Sequence, residues 1–192
     1  MRLAITTIYL SLCCFFAKGQ NTGTKWYSEH EKNGVIIQNS FPKGGPYMGP
    51  TEEHFNYSYL VFYHRVMNET GHPVEISISF SADSISIPGA PNTFVKVFLP
   101  SDTMTLDKRP LFSYGVTRLA SLEEPTNFQR TIKPKTDCLF YTVALFYQTK
   151  DNVWNEERGG NRAELCFNGN NLVYNMLPQI DALACGRIAV IR

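Results

Sequence analysis

The side chains able to do chemistry are few, and their spacing along the chain is sparse. The four histidines are His30, His54, His64 and His72. None sits in an HExxH motif, and neither Glu29-His30-Glu31 nor Glu52-Glu53-His54 has a second histidine at helical spacing. Metal ligands usually leave a denser His/Cys/Asp/Glu pattern, so the sequence predicts no metal site and no cofactor. An assembly across strands, for instance from His64 and His72, is the arrangement left open. Nucleophile motifs are missing too: no GxSxG elbow occurs, and no Gly-rich loop leads from a strand into a helix. Gly44-Gly45 and Gly159-Gly160 lie in Pro-rich or polar stretches, where they serve turns. Cys138 and Cys166 fall in strand-like runs, which suits packing or a disulfide better than a nucleophile needing a base and an electropositive neighbourhood. No catalytic residue is assigned. Asp or Glu from distant loops could still meet as a glycosidase pair, but with 17 acids present that has little discriminating power.

Recognition is the chemistry that remains. Residues 150–162 (KDNVWNEERGGNR) are too long for a simple hairpin connection and are therefore functional or mobile. Trp154, with Arg158 and several carboxylates and amides around it, reads either as a recognition residue for a glycan or protein or as an aromatic folded back over one end of the domain. Residues 41–50 (FPKGGPYMGP), with Tyr47, pose the same choice. Trp154, Arg158 and Tyr47 are the expected ligand-binding residues.

These residues need a scaffold and a compartment. Arg2, the apolar run of residues 3–17 and the small residues of Ala17-Lys18-Gly19 have the layout of a cleaved signal peptide over residues 1–19. The run is too short to span a bilayer comfortably. The expected location is outside the cell, in a periplasm or at the cell envelope. Removing residues 1–19 leaves sixteen Lys/Arg against 17 Asp/Glu. That balance excludes a nucleic-acid footprint and a polybasic membrane patch. No second apolar stretch reaches spanning length, so no transmembrane segment is expected in the mature chain. The five cysteines fall to three, Cys138, Cys166 and Cys185, which allows at most one intramolecular disulfide. Either Cys166 pairs with Cys185 and leaves Cys138 free, or all three pack as thiols. Asn56-Tyr57-Ser58 and Asn68-Glu69-Thr70 are glycosylation sequons.

The 192 residues suit one domain. Residues 20–31 are polar and irregular and read as a flexible leader, so the domain is placed at 32–192. Within it, short β-rich runs alternate with turn signals. In residues 56–67, Leu60, Phe62 and Val66 fall on one face and Tyr57, Tyr59, Val61 and Tyr63 on the other, a central strand. Residues 74–81 alternate cleanly, with Val74, Ile76, Ile78 and Phe80 inward. Residues 138–148 repeat the two-faced pattern, with Leu139, Tyr141, Val143, Leu145 and Tyr147 opposite Phe140, Ala144 and Phe146. Asn168-Gly169-Asn170-Asn171 predicts a hairpin. Residues 41–50, six of them Gly or Pro, predict a loop. Residues 104–106 and 111–117 predict short strands, and only residues 118–124 have helical composition. About nine strands with almost no helix indicate an all-β antiparallel sandwich, immunoglobulin-like or jelly-roll-like.

Two segments carry a family resemblance. Residues 66–80 (VMNETGHPVEISISF) run strand, polar turn, Pro and alternating strand; residues 132–143 (IKPKTDCLFYTV) place a Pro-containing turn before an apolar strand. Both resemble the immunoglobulin-like β-sandwiches common in secreted bacterial proteins. The resemblance covers 27 of 192 residues and implies a fold and an exported location. The chain departs from true immunoglobulin domains in lacking their Cys…Trp…Cys pattern. The function expected from the whole sequence is non-enzymatic: binding an unidentified protein or glycan, or a structural role. The alternatives are a carbohydrate-binding module using loop aromatics and a hydrolase with dispersed carboxylates.

Overall fold

A computed structural model describes residues 26–47, 57–90, 92–100, 125–148, 162–177 and 180–191. The described residues form twelve strands: β1 (Trp26–Lys32), β2 (Val35–Ser40), β3 (Lys43–Tyr47), β4 (Tyr57–Asn68), β5 (Val74–Phe80), β6 (Ile85–Ser86), β7 (Thr93–Phe98), β8 (Thr126–Ile132), β9 (Thr136–Gln148), β10 (Arg162–Asn168), β11 (Asn171–Leu177) and β12 (Ile180–Val190). They make two antiparallel sheets. The larger is ordered β1-β2-β4-β9-β7-β6, with β3 also paired to β4; the smaller is ordered β10-β11-β12-β5-β8. The expected all-β antiparallel sandwich class is what the chain adopts.

Period-2 alternation sets the layers. Strands β4 and β9 pair over twelve positions, from Tyr57↔Tyr147 to Asn68↔Thr136, so their two faces coincide. One joint face sends Phe62, Val66, Phe140, Ala144 and Phe146 into the main core. The other buries Tyr59, Val61, Tyr63, Tyr141, Val143 and Leu145 in a second cluster. Strand β5 closes the main core from the smaller sheet, with Val74, Ile76, Ile78 and Phe80 buried. All of these faces follow the sequence pattern.

A polar seam crosses that core. Ser28, Asn39 and His64 are cross-strand neighbours on β1, β2 and β4. The imidazole lies 2.8 Å from Asn39 Oδ1 through Nδ1 and 3.1 Å from Thr142 Oγ1 through Nε2. Thr142 Oγ1 is 2.6 Å from the hydroxyl of Tyr174 on β11. The bond directions are determined. Leu165 N–H donates to Asn39 Oδ1 and Leu165 C=O accepts from Nδ2, which fixes the amide orientation. Because Oδ1 only accepts, His64 Nδ1 carries the proton. The bare Nε2 then accepts from Thr142, and Thr142 accepts from Tyr174. His64 is fully buried and neutral; burial holds its pKa down at about 3.

Three expectations are corrected. The flexible leader is wrong over residues 26–31, which belong to β1: Asn33 and Gly34 take positive φ angles of 50° and 77° and turn the chain back onto β2 with Lys32 opposite Val35. Residues 43–47 are a strand, where a loop was expected. Strand β3 pairs only with β4, so Pro46 lies at a one-sided edge, and Gly44 lets the backbones close in. A Cβ on Gly44 would sit 1.9 Å from Tyr59 O. The strand count is twelve among the described residues, where about nine were expected. The expected signal peptide, the strands at 104–106 and 111–117 and the helical stretch 118–124 lie outside the described residues.

Candidate metal centre

Strand β10 is an edge of the smaller sheet, and side chains of the larger sheet close it. Going up β1, Tyr27 OH donates to Ala163 O at 2.8 Å and Lys32 Nζ donates to Gly169 O at 2.6 Å. Between them, the Asn39 amide bonds both backbone groups of Leu165. The partners rise together, so β1 lies alongside β10 in the parallel sense. A register shift after Trp26 leaves Tyr27 as the extra residue of a bulge, and its hydroxyl is the one that reaches β10.

Three chemically active side chains meet along this seam. Cys166 Sγ lies 3.3 Å from His30 Nε2, Glu164 Oε2 lies 3.5 Å from the same nitrogen, and Sγ to Oε2 is 3.8 Å. Alternation places Glu164 and Cys166 on one face of β10, turned away from the core that holds Ala163 and Leu165. The cluster is partly open, with the His30 side chain 33% and that of Glu164 19% exposed. Asn175 Nδ2 donates to Sγ from β11 at 3.6 Å. Burial, then the neighbouring Glu164 charge, push the Cys166 thiol up to about 12. Burial and Glu164 also raise Tyr27.

Two chemistries use Cys, His and a carboxylate. In a nucleophilic relay the thiol faces one imidazole nitrogen and the acid orients the ring through the other. Here thiol and carboxylate converge on Nε2, and the thiol is shifted away from thiolate. Convergence of three donor atoms is instead the geometry of a metal site. With bonds of about 2.3 Å to sulfur and about 2.0–2.1 Å to nitrogen and oxygen, a tetrahedral zinc site has ligand–ligand edges of about 3.3–3.6 Å. The 3.3, 3.5 and 3.8 Å triangle needs only small side-chain movements to match. Three protein ligands leave a fourth position for water or an outside ligand.

The residues expected from sequence fare differently. Trp154 and Arg158 lie outside the described residues, and Tyr47 is placed at the end of β3 opposite Tyr57. His64 and His72 form no joint site: His64 is sealed in the core seam, while His72 sits in an exposed turn. The Cys166–Cys185 disulfide is not formed, and all three described thiols are free. Strand β11 separates the two cysteines, about 10 Å at ordinary strand spacing, beyond the roughly 7 Å limit for bridged Cα atoms. Cys185 also points into the core, where it donates to Leu172 O, and Cys166 points away. The Asn68 sequon is structural. Its buried Nδ2 donates to His72 O and Ile132 O, and its Oδ1 accepts from Thr70.

The expectation of no metal site did not weigh His30 with Glu164 and Cys166, the one cluster of three potential ligands among the described residues. The local signal was Glu164-x-Cys166, two ligands on one strand face, but His30 lies 136 residues away. The fold and site define an all-β two-sheet protein with a three-ligand candidate centre at a closed sheet edge. No protein-family model, curated sequence or solved structure matches the chain. Among the described residues no helix is long and apolar enough to cross a membrane.

Proposed function

We propose that the protein is an exported β-sandwich whose role is binding, and that it binds a divalent ion of the zinc class through His30, Glu164 and Cys166. The apolar run of residues 3–17 followed by Ala17-Lys18-Gly19 supports export. The observation that carries the metal reading is the convergence of sulfur and carboxylate on a single imidazole nitrogen at tetrahedral-edge distances. Thiolate, imidazole and carboxylate together suit zinc or cobalt(II) better than the all-oxygen shell that calcium or magnesium prefers.

Cobalt(II) titration of the reduced full chain tests this, because a cobalt–thiolate bond gives its own near-ultraviolet band. One equivalent should bind and zinc should displace it, with the band lost in Cys166→Ser and binding weakened in His30→Ala. A wild-type chain that shows no thiolate band overturns the reading.

A further inference from the structure

We infer that Asn39 is the positioning residue of this centre, holding the two ligand-bearing strands at the spacing the metal needs. The inference rests on the metal reading. The ligands come from strands that share no backbone ladder: β1 is an edge of the larger sheet and β10 an edge of the smaller. Something other than sheet hydrogen bonding must set their separation: Tyr27 and Lys32 tie the two ends, and at the level of the ligands the Asn39 side chain reaches both strands.

The amide is fully buried and its bonds all point the same way functionally. Oδ1 accepts from Leu165 N–H at 2.9 Å and Nδ2 donates to Leu165 C=O at 3.3 Å. Leu165 is the residue between Glu164 and Cys166, so clamping its two backbone groups fixes the peptide that carries both ligands. The second Nδ2 proton goes to Ser28 Oγ at 3.2 Å, and Ser28 lies two residues before His30 on the same face of β1. Behind Oδ1 stands His64 Nδ1–H, itself held by Thr142 and Tyr174. The amide is therefore locked from the core side and cannot follow a drifting edge strand. Such support matters because ligand atoms must be held within about 0.5 Å of productive geometry.

The test compares three variants of the full chain by cobalt(II) and zinc affinity, each checked for cooperative unfolding. Asn39→Ala should lose tenfold or more in affinity, the scale seen when groups supporting metal ligands are removed. Ser28→Ala removes the amide's side-chain bond to β1 while leaving the β1–β2 ladder in place, and should lose roughly two- to tenfold, as for one hydrogen bond. Val95→Ala opens a void at a fully buried position on β7, so it should lower stability while keeping wild-type affinity. Wild-type affinity in both Asn39→Ala and Ser28→Ala, with the wild type binding, overturns the positioning role and leaves the metal reading standing. If Asn39→Ala does not fold, unchanged affinity in Ser28→Ala is decisive against it. A wild type that binds neither ion overturns both readings together.

Discussion

One identifiable part of the acid sensitivity of this fold should come from His64. Its imidazole is buried and neutral, with a pKa held at about 3 by burial, whereas in the unfolded chain it returns to about 6.5. Between those values the unfolded state binds a proton that the native state refuses. The contribution is complete above pH 6.5 and is lost as pH falls from 6.5 towards 3. At pH 5 the unfolded state is favoured by about 2 kcal/mol relative to pH 8 through this group alone. That figure depends chiefly on the unfolded-state value, because at pH 5 any native pKa below about 4 gives the same result. Urea denaturation at pH 8 and pH 5, in chelator to keep metal out, measures it as the difference between wild type and His64→Gln, since other titrating groups cancel. The wild type should lose about 2 kcal/mol more than the variant over that interval. A second measurement covers the case in which His64→Gln does not fold: the native imidazole resonances of His64 should not titrate between pH 8 and pH 5. Equal pH dependence in the two proteins, or a native midpoint near 6.5, refutes the argument.

Two further outcomes test the register of the sheets. Phe80→Ala should cost roughly 3–5 kcal/mol, because Phe80 is buried with its ring edge-on to Tyr174 at 5.3 Å. Ser79→Ala, one residue away on the exposed face, should stay within about 0.5 kcal/mol by chemical denaturation. Gly186→Ala places a Cβ 2.0 Å from Ser77 O and 2.9 Å from Ile78 Cα, so β12 must move off β5 at a cost of about 1–3 kcal/mol. Gly71→Ala meets nothing within 4 Å and should be neutral or stabilise by up to about 1 kcal/mol, which thermal melts of the pair would show.

The main layers were legible because β4, β5 and β9 are long enough for alternation to be unmistakable. In β4 the two faces read from sequence are the two clusters of the fold. Strand β1 was hidden by its polarity, since only an edge strand half open to solvent can read Trp-Tyr-Ser-Glu-His-Glu-Lys. Asn33-Gly34 carried the turn signal that would have found it. Strand β3 was hidden for the opposite reason: glycine and proline usually break ladders, and here the missing Cβ is what lets the strand approach. The cysteines illustrate a different limit. Cys166 and Cys185 are close in sequence, yet one hairpin and a bulge at Cys185 send them to opposite faces two strands apart.

The candidate ligands escaped the sequence reading because they belong to the seam between sheets and not to either sheet alone. An edge strand such as β10 presents unpaired backbone groups that invite another chain to add on. This protein covers them with side chains from β1 and β2, a tyrosine hydroxyl at Ala163 and an asparagine amide at Leu165, and a lysine holds Gly169 in the turn just past the strand. Side-chain closure of that kind leaves the outward face of β10 beside the inward face of β1, which brings Glu164 and Cys166 within reach of His30. Pairing by backbone ladder would instead have set the two strands about 4.8 Å apart in one sheet, where sheet register would fix which side chains could meet. The candidate centre is thus a product of how the edge is protected. A residue that sets the closure, Asn39 above all, acts on both the fold and the ligands.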